Sequence, residues 1–511
     1  MTNKTNKKQS MNRILILVAM MPVFATADTY YASPDGTGTG SEESPYSLSA
    51  GISKVNKSTH VLILKRGRYA LTGAIGVTGA SANGNYAKIF GETGDPADVI
   101  LDAQGGSEVM RLAKNVLVSG VTMMNGCNAS SAVLNRAAGV RIGYNDTPGT
   151  LSIVSNCVIT CCTNAFTDST KSGTTVVYGG AVCVYDTGLL VDSVVTNNTA
   201  DYRSAGVVMV NGTMRGCTVA DNTAEDGGGG IFCERDSTAY IADSTISGNS
   251  AGTSSGAVGG GVACYFPGSS FVLTNCTVAG NSAHHGGGVA GRYDETLHAE
   301  IVDCIITNNV SDLYGGGVFM RDNNQNDLAT RFVMRNSLVA FNRSIGENNG
   351  VGGGVYFVSY ANPIIDSCTI VSNRCKSSSN GAGLYHRWGG TVTNTIIACN
   401  LKGGSMETGS AWCLNVGTPS DAYRNCCAWP EASSVFLAEN GCVNADPKFA
   451  DAAHGDFTLT KGSPCKNAGI LESWMDCAFD LAGNARVYAD IPDIGCYELN
   501  YPIPGMLIFV R

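Results

Sequence analysis

The chain has 511 residues, a charged fraction of 15% and a net charge of −9. It lacks the basic balance that nucleic-acid binding requires, and no nucleic-acid partner is expected. Its 64 glycines against 14 prolines show that turns are made with glycine, and the charged fraction lies well below the roughly 25% of ordinary soluble proteins. An anionic polysaccharide stays open as a partner, because a local basic stripe can sit on an acidic protein.

In chain order, Lys4, Lys7, Lys8 and Arg13 precede the apolar run Ile14 to Met21, and Ala25-Thr26-Ala27 follows it. Basic, apolar and small residues in that order describe an export signal over residues 1–27, with Met11 as an alternative start. The apolar run falls short of the ~20 residues of a membrane span, and no transmembrane segment is expected once the signal is removed. The expected location is extracellular or on the outer cell surface. There the 20 cysteines are free to form disulfides.

Residues 28–95 read as an N-terminal cap with the first strands, 96–416 as a repeat array, and 417–511 as a C-terminal cap or surface-sorting segment. Within the array, short strands end in asparagine: SVVTNN (193–198), CTVADN (217–222), CTVAGN (276–281), CIITNN (304–309) and TIIACN (395–400) are examples. The corner asparagines are Asn125, Asn198, Asn222, Asn249, Asn281, Asn309, Asn342, Asn373 and Asn400, with Cys162 in the equivalent place of CVITCC (157–162). From Asn198 on their spacing runs from 24 to 33 residues, one solenoid coil per repeat. Asparagine tolerates the left-handed conformation of a sharp corner, and its amide can reach the asparagine of the next coil. Between corners stand glycine runs followed by apolar strands, such as GGAVCVY (179–185), GGGIFCE (228–234), GGGVFMR (315–321) and GAGLYHR (381–387). A Cβ in those runs would meet the neighbouring coils. Two or three strands per coil, alternating in and out with no helical period, predict an all-β parallel β-helix of about ten coils, capped at both ends.

The alternation of strands ending in Asn with GGGV or GGAV resembles the repeats of chlamydial polymorphic outer membrane proteins. The segment TYYASPDGTGTGSEESPYSLSAGISKV…VLILKRGRY (29–70) is similar to the N-terminal cap of secreted pectate-lyase-like β-helix proteins. The segment ADPKFADAAHGDFTLTKGSPCKNAG…DIGCYEL (445–498) resembles the C-terminal part of bacterial surface proteins called choice-of-anchor Q proteins. These resemblances imply a right-handed, pectin-lyase-like β-helix that is exported. They imply no activity, because that fold hosts lyases, hydrolases, adhesins and structural proteins. The ~95 residues after the last coil are too few for the membrane barrel of an autotransporter, which has at least eight strands.

Residues after each glycine run supply the candidate site. Two outward columns should contain Tyr185, Phe232, Glu234, Tyr265, Arg292, Phe319, Arg321, Tyr356, Tyr385 and Arg387, a stripe of rings and guanidinium groups down one face. Aromatic faces stack on sugars, and arginine pairs bidentately with carboxylate or sulfate. The rival reading of the same residues is an exposed aromatic ladder that only supports neighbouring strands. A uronate lyase would draw its base from Arg292, Arg321 or Arg387, with Ca²⁺ as its one conceivable cofactor. No dense carboxylate cluster accompanies them, and no catalytic residue or metal ligand is assigned. A glycoside hydrolase needs paired carboxylates, and Glu234 stands alone in its column.

His284-His285 reads as a solvated turn. Cys157, Cys217, Cys276, Cys304 and Cys368 share one inward column, Cys233 and Cys264 another; buried small hydrophobes are the default for both, and neighbouring coils ~4.8 Å apart leave Cys276–Cys304 or Cys233–Cys264 bridges open. Cys442, Cys465, Cys477 and Cys496 are candidates to staple the C-terminal cap. The favoured function is noncatalytic binding of glycans or cell-surface components. The alternatives are a lyase or hydrolase acting on an acidic polysaccharide, and a purely structural surface role.

Overall fold

The computed structural model describes residues 28–499, apart from 80–85, 130–136, 145–149, 166–178, 254–255, 293–297, 323–330, 347–349, 360–362, 377–380, 403–412, 417–421, 431–435 and 489. The chain winds through four parallel sheets, visited in turn on every regular coil. A representative coil runs Ser270–Thr274, Thr277–Ala279, Ser282–His285 and Val289–Arg292, in the first, second, third and fourth sheets. The sheets hold 14, 13, 10 and 12 strands among the described residues. The expectation of two or three strands per coil becomes four, because two-residue strands such as Thr223–Ala224 form the third sheet. Alternation sets the inside: Cys276 and Val278 are buried, and Thr277 and Ala279 face outward. The fold is a right-handed parallel β-helix.

The corner asparagines do more than turn the chain. Asn198, Asn222, Asn249, Asn281, Asn309, Asn342, Asn373 and Asn400 are fully buried. The Asn281 Nδ2 donates to Asn309 Oδ1 (3.0 Å) and to the Ile246 carbonyl (2.9 Å); its Oδ1 accepts from the Asn249 Nδ2 and backbone N–H, both at 2.9 Å. All four hydrogen-bonding positions of the amide are filled, and the pattern repeats up the rod. The left-handed conformation belongs to the residue before, for example Asn197, Asp221, Asn308 and Ser372, rather than to these asparagines. Asn125 departs from the column. It is itself left-handed (φ 54°), and its Nδ2 donates to Asp102 Oδ1 at 2.8 Å, outside the ladder.

The glycine runs follow from the same geometry. Gly286, the first of its run, has φ +62°, which lets the chain reverse into the fourth sheet. A Cβ on Gly288, the third, would lie 2.6 Å from the Gly317 carbonyl oxygen and 2.9 Å from Asn309 Nδ2. That position is empty because the asparagine ladder occupies the space.

A second left-handed column, including Asn156, Asp192, Asp243, Asn275, Asp303, Asn336, Asn394 and Asn425, turns the chain from the first sheet into the second. The next residue in each coil is a Cys, Ser or Thr pointing inward. The Ser193, Ser244 and Ser337 hydroxyls accept from the N–H of Cys157, Cys217 and Cys304 in the preceding coils. In the same column the Cys157 and Cys276 thiols donate to carbonyls two residues back, at 3.2 and 3.3 Å. The thiols replace hydroxyls in a structural column.

The two ends differ. Helix α1 (Leu48–Val55), capped by the Ser47 hydroxyl, packs on the first two strands of the first sheet with Val55 buried. At the C-terminus, residues 445–499 fold back along the outside of the second sheet as an arm. Phe457 and Cys496 pack against Leu338, Ala340 and Val371, and Leu459, Cys465 and Ile494 against Ile396, Ala398 and Cys427. Corner asparagines hold the arm: Asn336, Asn394 and Asn425 donate to the carbonyls of Phe479, Ile470 and Ala468 at 2.8 to 2.9 Å. No described helix is long and apolar enough to cross a membrane.

Candidate functional site

The residues after the glycine runs do line up on the outer face of the fourth sheet. Strand register places Cys183, Val208, Phe232, Ala263, Ala290, Phe319, Tyr356 and Tyr385 in one column. In the next, Arg292 pairs with Arg321, Arg321 with Val358, and Val358 with Arg387. The first column, the one that holds Cys183, extends toward the N-terminus through Arg141 and Arg111, which the repeat pattern did not reach. Both arginines are tied to the buried Glu108: Arg111 Nε and Arg141 Nε donate to it at 2.6 Å.

The stripe is not one open surface. Phe232 and Phe319 are 1% exposed and Glu234 is 9% exposed, so these three are not ligand-facing side chains as expected. The face carries its own apolar cluster outside the barrel, with Cys183, Val208, Phe232, Val258, Phe266 and Phe319 at its heart. Phe266, in the turn after the fourth-sheet strand, covers Phe232 with ring centroids 5.8 Å apart. Phe319 is enclosed by His285 (5.2 Å) and Tyr356 (5.3 Å). Tyr185 and Tyr265 are half-buried at the edge of this cluster, and Arg203 lies over the rings of Tyr265 and Phe266.

His285 overturns the solvated-turn expectation for the histidine pair. It is 8% exposed and stacks on Tyr314 at 5.1 Å with ring planes 4° apart, while His284 Nδ1 lies 3.4 Å from Asp312 Oδ2. Neither His285 nor Tyr314 was singled out as a site residue. The signal was present: each immediately precedes a glycine run, and the left-handed glycine that follows swings it beside the first outward column.

Toward the C-terminal end the rings become half-exposed. Tyr314 stacks on Tyr356 (4.8 Å), and Tyr356 on Tyr385 (4.9 Å, planes 5° apart). These rings use their faces on one another, so sugar stacking on ring faces, the mode expected from sequence, is largely forestalled here. What they present outward is edges and hydroxyls. Burial, reinforced by the neighbouring Tyr385 and Tyr314 and opposed by Arg321 and Arg387, pushes the Tyr356 phenol up to about 12. The Tyr356 hydroxyl therefore remains a protonated donor at neutral pH. Arg387 lies over the Trp388 ring at 4.7 Å, and its buried Nε has no hydrogen-bond partner among the described residues.

Glu234 is the unusual acid of the face. Burial raises its carboxyl to about 7, against partial relief from the Arg235 N–H and the Arg235 and Arg203 guanidiniums. Its Oε1 accepts from the Arg235 N–H at 2.9 Å, and its Oε2 has no partner among the described residues. Among the described residues no three His, Cys, Asp or Glu side chains are grouped to hold a metal ion. A groove of about 550 Å³ lies elsewhere, around Arg68, Asp102, Asn125 and Cys161.

A family model for the right-handed β-helix region matches residues 180–351. Among solved structures, the chain is similar to pectate lyase Pel9A, at 13% identity and a TM-score of 0.38 over 94% of this chain and 98% of that one. It is similar also to a mannuronic acid specific polysaccharide family 6 lyase from human gut microbiota (13% identity, TM-score 0.38, 74% and 82% covered). A rhamnogalacturonan lyase matches at 11% identity and a TM-score of 0.26, with 91% and 97% covered. No curated protein matches the sequence. Likenesses this distant transfer no activity, and the identification stops at a right-handed β-helix region over residues 180–351.

Proposed function

We propose that this chain is an exported, noncatalytic glycan-binding β-helix. The patch formed by Tyr314, Tyr356, Tyr385, Arg321 and Arg387 takes a linear polysaccharide bearing carboxylates or sulfates. The observation that carries the reading is the stacked, half-exposed Tyr356–Tyr385 pair with the half-buried Arg387 two residues further along the same strand. Guanidinium groups recognise carboxylate or sulfate with two parallel hydrogen bonds, and phenol hydroxyls in a fixed row supply donors for sugar oxygens. Stacking holds the rings rigid, so little side-chain entropy is lost on binding. Export rests on the basic, apolar and small-residue order of residues 1–27.

Calorimetric titration with pectate, alginate and a sulfated glycosaminoglycan tests the reading. Binding to at least one acidic polymer is expected, weakened by salt and reduced at least tenfold in Tyr385→Ala and Arg387→Ala. Equal affinity for neutral polymers, or undiminished binding in both variants, overturns it.

Glu234 favours a second reading, hydrolysis. A carboxyl held near 7, its buried Oε2 without a partner among the described residues, has the protonation required of a general acid once an opening of the face lets a substrate reach it. Release of reducing ends from any acidic polymer, abolished in Glu234→Gln, would establish it. Unsaturated products that persist in Glu234→Gln would point to a lyase instead.

A further inference from the structure

The adjacent cysteines Cys426 and Cys427 sit on the last second-sheet turn and point to opposite sides of the wall. Cys426 joins the barrel core, and Cys427 the outer cluster beneath the arm. Each meets a cysteine from beyond the coils. Cys427 forms a parallel bridge pair with Val443, the Val443 N–H donates to the Cys426 carbonyl (2.8 Å), and the Ala428 N–H donates to Val443 (3.0 Å). That register sets Cys442 beside Cys426, with both side chains in the core cluster. On the outside, Cys465 is fully buried in the same cluster as Cys427.

We propose that Cys426–Cys442 and Cys427–Cys465 are disulfides, one inside the barrel and one outside, that clasp the C-terminal arm to the last coil. The thiols are in side-chain contact in both pairs, as they are in the coil pairs Cys233–Cys264 and Cys276–Cys304, so it is the backbone around them that sets the two proposed pairs apart. Contact with the Cys426 thiol holds Cys442 below the ordinary thiol range, so Cys442 is the group that ionises first. Its thiolate attacks the disulfide of a donor, an oxidised dithiol protein or a small disulfide, and forms a mixed disulfide. The Cys426 thiolate then displaces the donor sulfur. The two electrons and the two thiol protons pass to the donor, whose disulfide becomes two thiols. The Cys427–Cys465 bond forms by the same exchange.

The coil pairs make an internal contrast. Cys233 and Cys264 are register partners in an unbroken ladder, and Cys276 and Cys304 stand in the inward column of neighbouring coils. Regular strand spacing of ~4.8 Å holds such Cβ atoms beyond the ~3.8 Å mean of disulfides. Cys442 is joined to the last coil by a single bridge pair and Cys465 by packing, and both can close in. Of the other cysteines expected to staple this region, Cys477 is exposed, and the backbone N–H of the buried Cys496 donates to Thr369.

The test is alkylation of the full chain, secreted into an oxidising medium, then denatured without reductant and mapped by mass spectrometry. Cys426, Cys427, Cys442 and Cys465 are expected unmodified, and Cys157, Cys217, Cys233, Cys264, Cys276 and Cys304 alkylated. Cys465→Ser should add Cys427 to the alkylated cysteines, with Cys426 and Cys442 still protected. Reduction of the native protein should raise the rate of protease cleavage within 445–499 by tenfold or more. Alkylation of all four in the wild type overturns the proposal, whatever the variant does. Release of Cys426 by Cys465→Ser overturns the pairing.

Discussion

At the scale of single residues, burial decides what each polar group is worth. Asn281 makes four hydrogen bonds inside the wall, and Asn281→Ala would leave donors of Asn249 and the Ile246 carbonyl unmatched. With ~1–3 kcal/mol for each buried group left unsatisfied, a loss of about 4 kcal/mol is expected in urea denaturation. Asn125→Ala, outside the ladder, should cost about 1 kcal/mol. Equal losses at the two positions would show that the ladder adds nothing. Titratable groups give opposite signs. His386, inside the barrel with its ring nitrogens bonded to the Tyr423 hydroxyl and the Gly389 carbonyl, is lowered by burial from 6.5 to about 4. The unfolded chain binds this proton more tightly, so stability is lost as pH falls from 6.5 to 4, by about 3 kcal/mol. Glu234 is raised from 4.5 to about 7, so the folded state holds the proton more tightly and stability falls as pH rises through that window. Thermal melts should show His386→Gln removing the acid-side loss and Glu234→Gln gaining on wild type above pH 7. A Glu234→Gln melt that tracks wild type at every pH would show the carboxyl to be ordinary.

At the scale of elements, the arm and the second sheet explain one another. The outward residues of that sheet are Thr, Ala and Ser in the middle coils (Thr218, Ala220, Thr245, Ser247). Beneath the arm they become Leu338, Val371 and Ile396. That change of character is visible in the repeats and marks a covered face. The fold-back that covers it was not legible, because contacts such as Asn336 to Phe479 span more than a hundred residues and have no periodic signature. The fourth sheet shows the same division. Its outward columns could be written down from the glycine spacing, whereas the burial of Phe232 and Phe319 comes from Phe266 and His285, which lie outside the repeated strand. Phe457 is 2% exposed between Phe341 and Phe449. Phe457→Ala should cost the arm's docking ~3–4 kcal/mol. Amides of Asp456–Leu459 should then exchange faster, while those of Thr218–Ala220 keep their protection. Uniform loss of protection along the rod would mean that arm and coils unfold as one unit.

At the scale of the whole molecule, the rod is a nearly one-dimensional object in which each coil touches its two neighbours. Thr223 pairs with Ser250 in register, so deleting residues 223–249 joins Asn222 to Ser250 and removes one complete coil. After the deletion Asn222 meets Asn281, Met209 meets Cys264 and Thr218 meets Thr277, the same residue classes at every level of the wall. The shortened chain should fold, keep its β-sheet circular dichroism and lose about 4.8 Å of length. Deleting only 223–234 leaves half a coil, throws the sheets out of register and should abolish folding. The full-coil deletion also separates the two functional readings. It takes Glu234 away and leaves Tyr314, Tyr356, Tyr385, Arg321 and Arg387 in place. Retained affinity for an acidic polysaccharide in the folded, shortened rod would assign binding to the aromatic–arginine patch. Loss of affinity, with the remaining coils intact, would move the site to the coil that carries Glu234.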